Sequence, residues 1–201
     1  MCHRIPRHWQ AWLQDKGSLT QRLIHASDGY FEVCVISNQW GVPSQSEARA
    51  LMLKPRQKAI IREVELHCHG QAWVCARSII PHSTLTGRLR QFKNIGTKPL
   101  GGLLFKHHNM VRGVLEVTSL KQVHNQKQHW ARRSVFYLDG KGILVTEVFM
   151  PPMASVLPQG DWVVILANYK KVFHRQQDQR LVDLKAHSHL LTTGNVVTYF
   201  C

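Results

Sequence analysis

The chain has little acid to set against its base. Asp and Glu number 12 against 26 Lys and Arg, which leaves a formal charge of +14 in 201 residues. Such an excess invites a nucleic-acid partner, because lysine and arginine release counterions from phosphates. Yet the cations never build a run of five: Lys54, Arg56 and Lys58, Arg88 and Arg90, Arg132 and Arg133, Lys170 and Lys171 are scattered. The aromatic residues do not interleave with them along a strand either, so no nucleic-acid partner is expected. A dispersed positive field instead concentrates an anionic metabolite near a cleft.

Other absences narrow the chemistry. The five cysteines, Cys2, Cys34, Cys68, Cys75 and Cys201, form no CxxC pair and are odd in number, which excludes a zinc ribbon and a disulfide framework and fits a reducing cytoplasm. No stretch approaches the ~18 apolar residues that span a bilayer, and the N-terminus lacks the apolar core of a signal peptide. No integral membrane segment is expected. There is no GxSxG elbow and no Ser/His/Asp arrangement, so covalent catalysis has no candidate. Gly96 to Gly102 lacks the Walker spacing and no strand precedes it, which argues against nucleotide binding. His67, His69, His107, His108, His187 and His189 are abundant but lack metal-ligand spacing, and they read as solvated histidines with no metal.

What is present is the balance of one soluble globular domain, 44% hydrophobic and 19% charged. Residues 7 to 24 carry Trp9, Trp12, Leu13, Leu19 and Leu23 at helical spacing, broken at Gly17, with Ser18 placed to cap a second turn of helix. Tyr30 to Trp40 reads as a strand, Ser46 to Lys54 as a short helix or strand, and Pro81 to Phe92 as a helix. Thr97 to Gly102 is expected to be irregular, and Met110 to Leu120 alternates in part. His69-Gly70 and Asp139-Gly140 mark two hairpins. Successive hairpins with few helices predict an α+β domain, an antiparallel sheet with helices on one side. Past Pro151-Pro152 the composition changes; Trp162 to Leu166 suggests another strand, Tyr169 to Lys185 is polar and basic, and the region reads as an appendage with no assigned task.

Two arginines stand out. Arg62 interrupts the apolar set Ile60, Val64, Leu66 and Cys68, and Arg77 interrupts Trp73, Cys75 and Ile79. A turn of two or four residues at His69-Gly70 makes Arg62 and Arg77 direct cross-strand neighbours, with Leu66 opposite Trp73 and Val64 opposite Cys75. Like charges facing one another repel, so the pair either snorkels to water at the hairpin end or grips a small dianionic ligand. Glu147 is a second anomaly, a lone acid in the apolar strand Ile143 to Met150. A two-residue loop at Asp139-Gly140 puts it opposite Arg132, and a four-residue loop opposite Ser134. It is then either a functional carboxylate or half of a structural ion pair with Arg132.

Taken in order, these segments resemble the chorismate pyruvate-lyase family over roughly residues 6 to 150. The residues that carry the likeness are Gly17-Ser18-Leu19-Thr20, Ile61-Arg62-Glu63, Trp73 through Arg77 to Pro81, Ser83-Thr84-Leu85, Lys98-Pro99-Leu100-Gly101, Trp130 with Arg132-Arg133-Ser134, and Thr146-Glu147-Val148-Phe149. The resemblance implies a single antiparallel sheet with helices on one side and two helical flaps over an internal ligand cavity. It implies a cofactor-independent lyase that releases pyruvate from chorismate to give 4-hydroxybenzoate for ubiquinone, in a cytoplasmic monomer. It assigns Arg62 to the ring carboxylate and Glu147 to the ring hydroxyl as the catalytic pair, Leu100 to backbone contacts, Leu19 to a flap position that is often methionine, and Arg77 to a second arginine near the site. Residues 1 to 154 form the family domain, and 155 to 201 an extension without counterpart. The order Thr97-Lys98 is transposed from the family's usual Lys-Thr, and the high charge is unusual for it. The competing expectation is a ligand sensor, since effector-binding domains of bacterial repressors share this architecture.

Overall fold

The computed structural model describes Ile5, residues 7–121 and residues 128–150. The strand suggested at Trp162 to Leu166 and the extension after residue 154 lie outside the described residues. Two short helices come first, α1 (Arg7–Leu13) and α2 (Leu19–Ala26), the latter begun by Ser18, whose hydroxyl accepts the Gln21 amide. Strand β1 (Phe31–Gly41) and helix α3 (Gln45–Ala50) lead into the hairpin of β2 (Ala59–Cys68) and β3 (Gln71–Pro81). The segment expected to be one helix is two 3₁₀ pieces, His82–Thr84 and Gly87–Asn94. Helix α4 (Leu100–Leu104) starts at Pro99, where an irregular turn was expected, followed by β4 (Met110–Arg112), β5 (Glu116–Lys121), β6 (Gln128–Leu138) and β7 (Lys141–Phe149). The strands form one antiparallel sheet in the order β1-β2-β3-β7-β6-β4, with β5 also paired to β6.

Both hairpin turns hold two successive residues at positive φ, His69 (51°) with Gly70 (72°) and Asp139 (48°) with Gly140 (76°). That is the two-residue turn whose twist suits antiparallel strands. Their consequences differ. β6 and β7 pair without interruption from Leu138↔Lys141 to Trp130↔Phe149, so Arg132 meets Glu147. In β2 and β3 the register shifts by one residue between Leu66 and His67: Leu66 pairs with Val74, Val64 with Ala76 and Arg62 with Ser78. A bulge inserts one unpaired residue, and because side chains alternate with period two, everything beyond it changes face relative to its partner strand.

One face of the sheet carries most of the core. Trp9 and Leu13 of α1 and Leu19 and Leu23 of α2 pack on Val64, Leu66, Val74, Trp130 and Phe149. Leu89, Phe92, Ile95, Leu100 and Leu104 pack on Ile60, Ile80, Phe136, Leu138 and Ile143. Helix α3 is the exception to the one-sided arrangement; its Ala50 and the following Leu51 lie against Ile79 and Leu144 on the opposite face. Between the two large apolar clusters the first face is polar, and the cavity lies there.

Candidate active site

The cavity and the solvent space at its mouth together amount to about 530 Å³. Its floor is sheet: Arg62, Val64 and Leu66 from β2, Ala76 and Ser78 from β3, Val145 and Glu147 from β7, and Arg132 and Phe136 from β6. Gly17, Leu19 and Thr20 at the start of α2 close one side, and Pro99, Leu100, Gly101, Leu104 and Phe105 around α4 close the other. These are the two flaps. They meet where Gly101 passes Thr20 so closely that a Cβ on residue 101 would lie 2.8 Å from the Thr20 hydroxyl.

Arg62 is 2% exposed. Its Nη2 donates to the carbonyls of Gly96 (2.9 Å) and Lys98 (3.2 Å), which orients the guanidinium and ties β2 to the loop before α4. Its Nε is buried and, among the described residues, has no acceptor. Burial lowers its pKa from the ordinary arginine value, but arginine starts so high that the charge remains. A desolvated cation with an unused donor favours an incoming carboxylate. The transposed Thr97-Lys98 pair is resolved here: both side chains are exposed, and Lys98 serves the site through its backbone oxygen.

At the other end Arg132 donates from Nε to Glu147 Oε2 at 2.5 Å and from Nη1 to the carbonyls of Trp12 (2.7 Å) and Asp15 (2.8 Å). Of the two readings of Glu147, the ion pair with Arg132 is the one present in the geometry. The acid is ion-paired with Arg132, as the two-residue loop requires, and both side chains line the cavity. Arg112 completes the set, with Nε donating to Ser134 Oγ (3.1 Å), Nη1 to the Asp15 carbonyl (3.3 Å) and its guanidinium 4.9 Å from the Phe136 ring. Burial first, and then the nearby Arg132 charge, lower its pKa. Cavity charge is thus three guanidinium groups against one carboxylate, an excess of two positive charges suited to a dianion.

Arg77 is the correction. It was expected beside Arg62 over the ligand, but the bulge places it opposite Glu63 on the far face of the sheet. There its Nη1 meets Glu63 Oε1 at 2.6 Å, while Nε and Nη2 grip Glu47 of α3 at 2.7 and 3.2 Å. The repulsive pair assumed from the sequence is replaced by two attractive ones, and Arg77 does not line the cavity. The positive partners of Arg62 at the cavity are Arg112 and Arg132. Arg132 is detectable by parity with Trp130, Ser134 and Phe136, an inward set on β6; Arg112 gives no such signal because its strand has three residues.

The described residues contain no helix long and apolar enough to cross a membrane. Among solved structures the effector domain of PhnF from Mycobacterium smegmatis is similar, with TM-score 0.51 and 10% identity over 68% of this chain and 90% of that one. A structure of PhnF from the same organism gives 0.52 and 12% over 72% and 70%. At such identity the likeness concerns the fold. Sequence relatives are much nearer: a probable chorismate pyruvate-lyase of Marinobacter nauticus is 39% identical over 150 residues, 75% of this chain and 80% of that protein. Another, from Methylobacillus flagellatus, is 36% identical over 162 residues, 75% of this chain and 90% of the relative. The model of the family described as chorismate lyase matches residues 3–156, and the chain belongs to that family.

Proposed function

We propose that the protein is a chorismate pyruvate-lyase, releasing pyruvate from chorismate to leave 4-hydroxybenzoate. The observation that carries this reading is the cavity's surplus of two positive charges around a single acid. Chorismate is a dianion with a ring carboxylate, an enolpyruvyl carboxylate and a ring hydroxyl para to the first. Arg62 takes the ring carboxylate, with backbone contacts from Leu100 and packing from Leu19. Glu147, with one oxygen held by Arg132, accepts a hydrogen bond from the 4-hydroxyl. The enolpyruvyl group is bonded to the ring carbon next to the hydroxyl, which brings its carboxylate toward Arg112.

Held this way, the substrate is poised for elimination. The C4 hydrogen passes to the enolpyruvyl methylene while the C3–O bond breaks; the ether oxygen becomes the ketone of pyruvate and a C3–C4 double bond completes the aromatic ring. Aromatisation supplies the driving force, and the site contributes orientation and charge stabilisation rather than covalent help. The free thiols of Cys34, Cys68 and Cys75 suit a reducing cytoplasm, and residues 1 to 154, acting as a monomer, suffice for this chemistry.

Incubation with chorismate, followed by pyruvate release and 4-hydroxybenzoate absorbance in equal amounts, tests the proposal. Tight binding of either compound without turnover would instead favour a sensor. Glu147→Gln keeps an acceptor for the hydroxyl but removes the charge and unbalances Arg132, so kcat/KM falls about tenfold or more, the loss of one charge-assisted hydrogen bond. An unchanged value would remove Glu147 from the site.

A further inference from the structure

On the face of the sheet opposite the cavity, the edge strand β1 and its neighbour β2 bring Glu32 beside His67 and Cys34 beside Glu65 as direct cross-strand partners. Alternation of side chains puts all four on one surface. His67 Nδ1 lies 3.6 Å from Glu32 Oε1, and Cys34 Sγ lies 4.0 Å from the same oxygen. All three donor atoms fall within 4.8 Å of one another. A tetrahedral zinc ion with ordinary ligand distances separates its donors by ~3.3–3.8 Å, so small side-chain rotations suffice to enclose one. The remaining ring nitrogen of His67 is occupied: Nε2 lies 2.7 Å from Glu65 Oε2. A carboxylate on the distal nitrogen is how a metal-binding histidine has its tautomer and ring plane fixed, with Nδ1 turned toward the ion.

We propose that Glu32, Cys34 and His67 form a binding site for a zinc-type divalent cation, oriented by Glu65. The donor set, one thiolate, one imidazole and one carboxylate, suits a borderline ion and not calcium or magnesium. On binding, the Cys34 thiol gives its proton to solvent, and thiolate and Glu32 together neutralise the ion. Cys34 is half-buried and Glu32 mostly exposed, so the ion enters from solvent and retains water as a fourth ligand. The site bridges an exposed edge strand to the sheet and is separated by the sheet from the cavity, so it is structural with respect to the lyase reaction. It does not depend on the assignment of that reaction.

The test is titration of the full, metal-stripped chain with Co²⁺ alone, followed by displacement with Zn²⁺. One equivalent should produce the visible bands of tetrahedral cobalt together with a near-ultraviolet thiolate-to-cobalt band, both lost on adding zinc. Cys34→Ser abolishes the thiolate band, and Glu32→Gln, at an exposed position that folding does not need, weakens binding at least tenfold. Glu65→Gln weakens it about tenfold through His67. Octahedral cobalt spectra, no saturable binding, or a thiolate band that survives in Cys34→Ser would each overturn the site. Pyruvate release by Cys34→Ser stays at the wild-type rate.

Discussion

Arg62→Ala lowers kcat/KM for pyruvate release by roughly 10²–10³-fold, equivalent to about 3–4 kcal/mol of transition-state stabilisation. Two losses combine. The ring carboxylate loses a desolvated guanidinium that nothing else at that end replaces, since Arg112 and Arg132 are fixed by Ser134, Glu147 and the carbonyls of Trp12 and Asp15. The carbonyls of Gly96 and Lys98 also lose their shared donor, so the flap that presents Leu100 loses its tether to β2. Arg62→Lys separates the two effects. An ammonium supplies the charge but not the planar fork, so it recovers part of the binding and little of the turnover. Binding of 4-hydroxybenzoate, followed by quenching of tryptophan fluorescence, falls in parallel with kcat/KM if Arg62 holds the ring carboxylate. Near-normal turnover in a folded Arg62→Ala protein would reject the role, and loss of turnover with unaltered product affinity would move Arg62 to the flap alone.

How far the sequence reaches is decided by the two hairpins. Both announce themselves by turn residues that accept positive φ, and the Asp139-Gly140 hairpin keeps strict register, so the meeting of Arg132 with Glu147 follows from counting. The His69-Gly70 hairpin does not. Its second strand is buried on both faces beyond Trp73, with Val74, Ala76 and Ile80 as apolar as Cys75 and Ile79. Alternation is then uninformative, and a one-residue bulge leaves no trace in the pattern. The discriminating signal was electrostatic: only the bulged register exchanges Arg62 facing Arg77 for Glu63 facing Arg77. Ser18 announced α2 because capping is local chemistry. Helix α4, five residues with two glycines, has almost no intrinsic preference to read; Leu100 and Leu104 are held by packing on the sheet. The metal-type cluster escaped for a related reason. Its residues are 33 positions apart along the chain from Cys34 to His67, and only the β1–β2 register joins them.

The bulge also sets the largest expected change in stability. Arg77→Met leaves Glu47 and Glu63 buried without the guanidinium that compensates both, and removing one member of a buried ionic network costs about 3–5 kcal/mol. For a protein of this size that lowers Tm by roughly 10 °C. The pH dependence changes sign with it. In the parent protein burial pushes the Glu47 carboxyl up, but the hydrogen bonds and charge of Arg77, helped by Ser44, outweigh this and hold it below the ordinary value. A lowered folded-state pKa contributes stability that is present above the unfolded value of ~4.3 and is lost as pH falls through the folded one. Without Arg77 only the Ser44 hydrogen bonds oppose burial, the largest of the effects, so the folded pKa rises and the folded state takes up the proton first. The variant therefore becomes more stable as pH falls from about 7 toward 5, over which the parent's Glu47 contribution stays constant. Adding Glu47→Gln recovers part of the loss and flattens the profile. Thermal unfolding at a series of pH values measures all three, and a variant whose Tm declines on acidification in parallel with the parent would show that Arg77 does not neutralise Glu47. Turnover provides the independent check. Because Arg77 lies across the sheet from the cavity, folded Arg77→Met releases pyruvate at close to the parent kcat, whereas collapse of kcat in fully folded protein would mean that Arg77 faces the substrate and that β2 and β3 pair without the bulge.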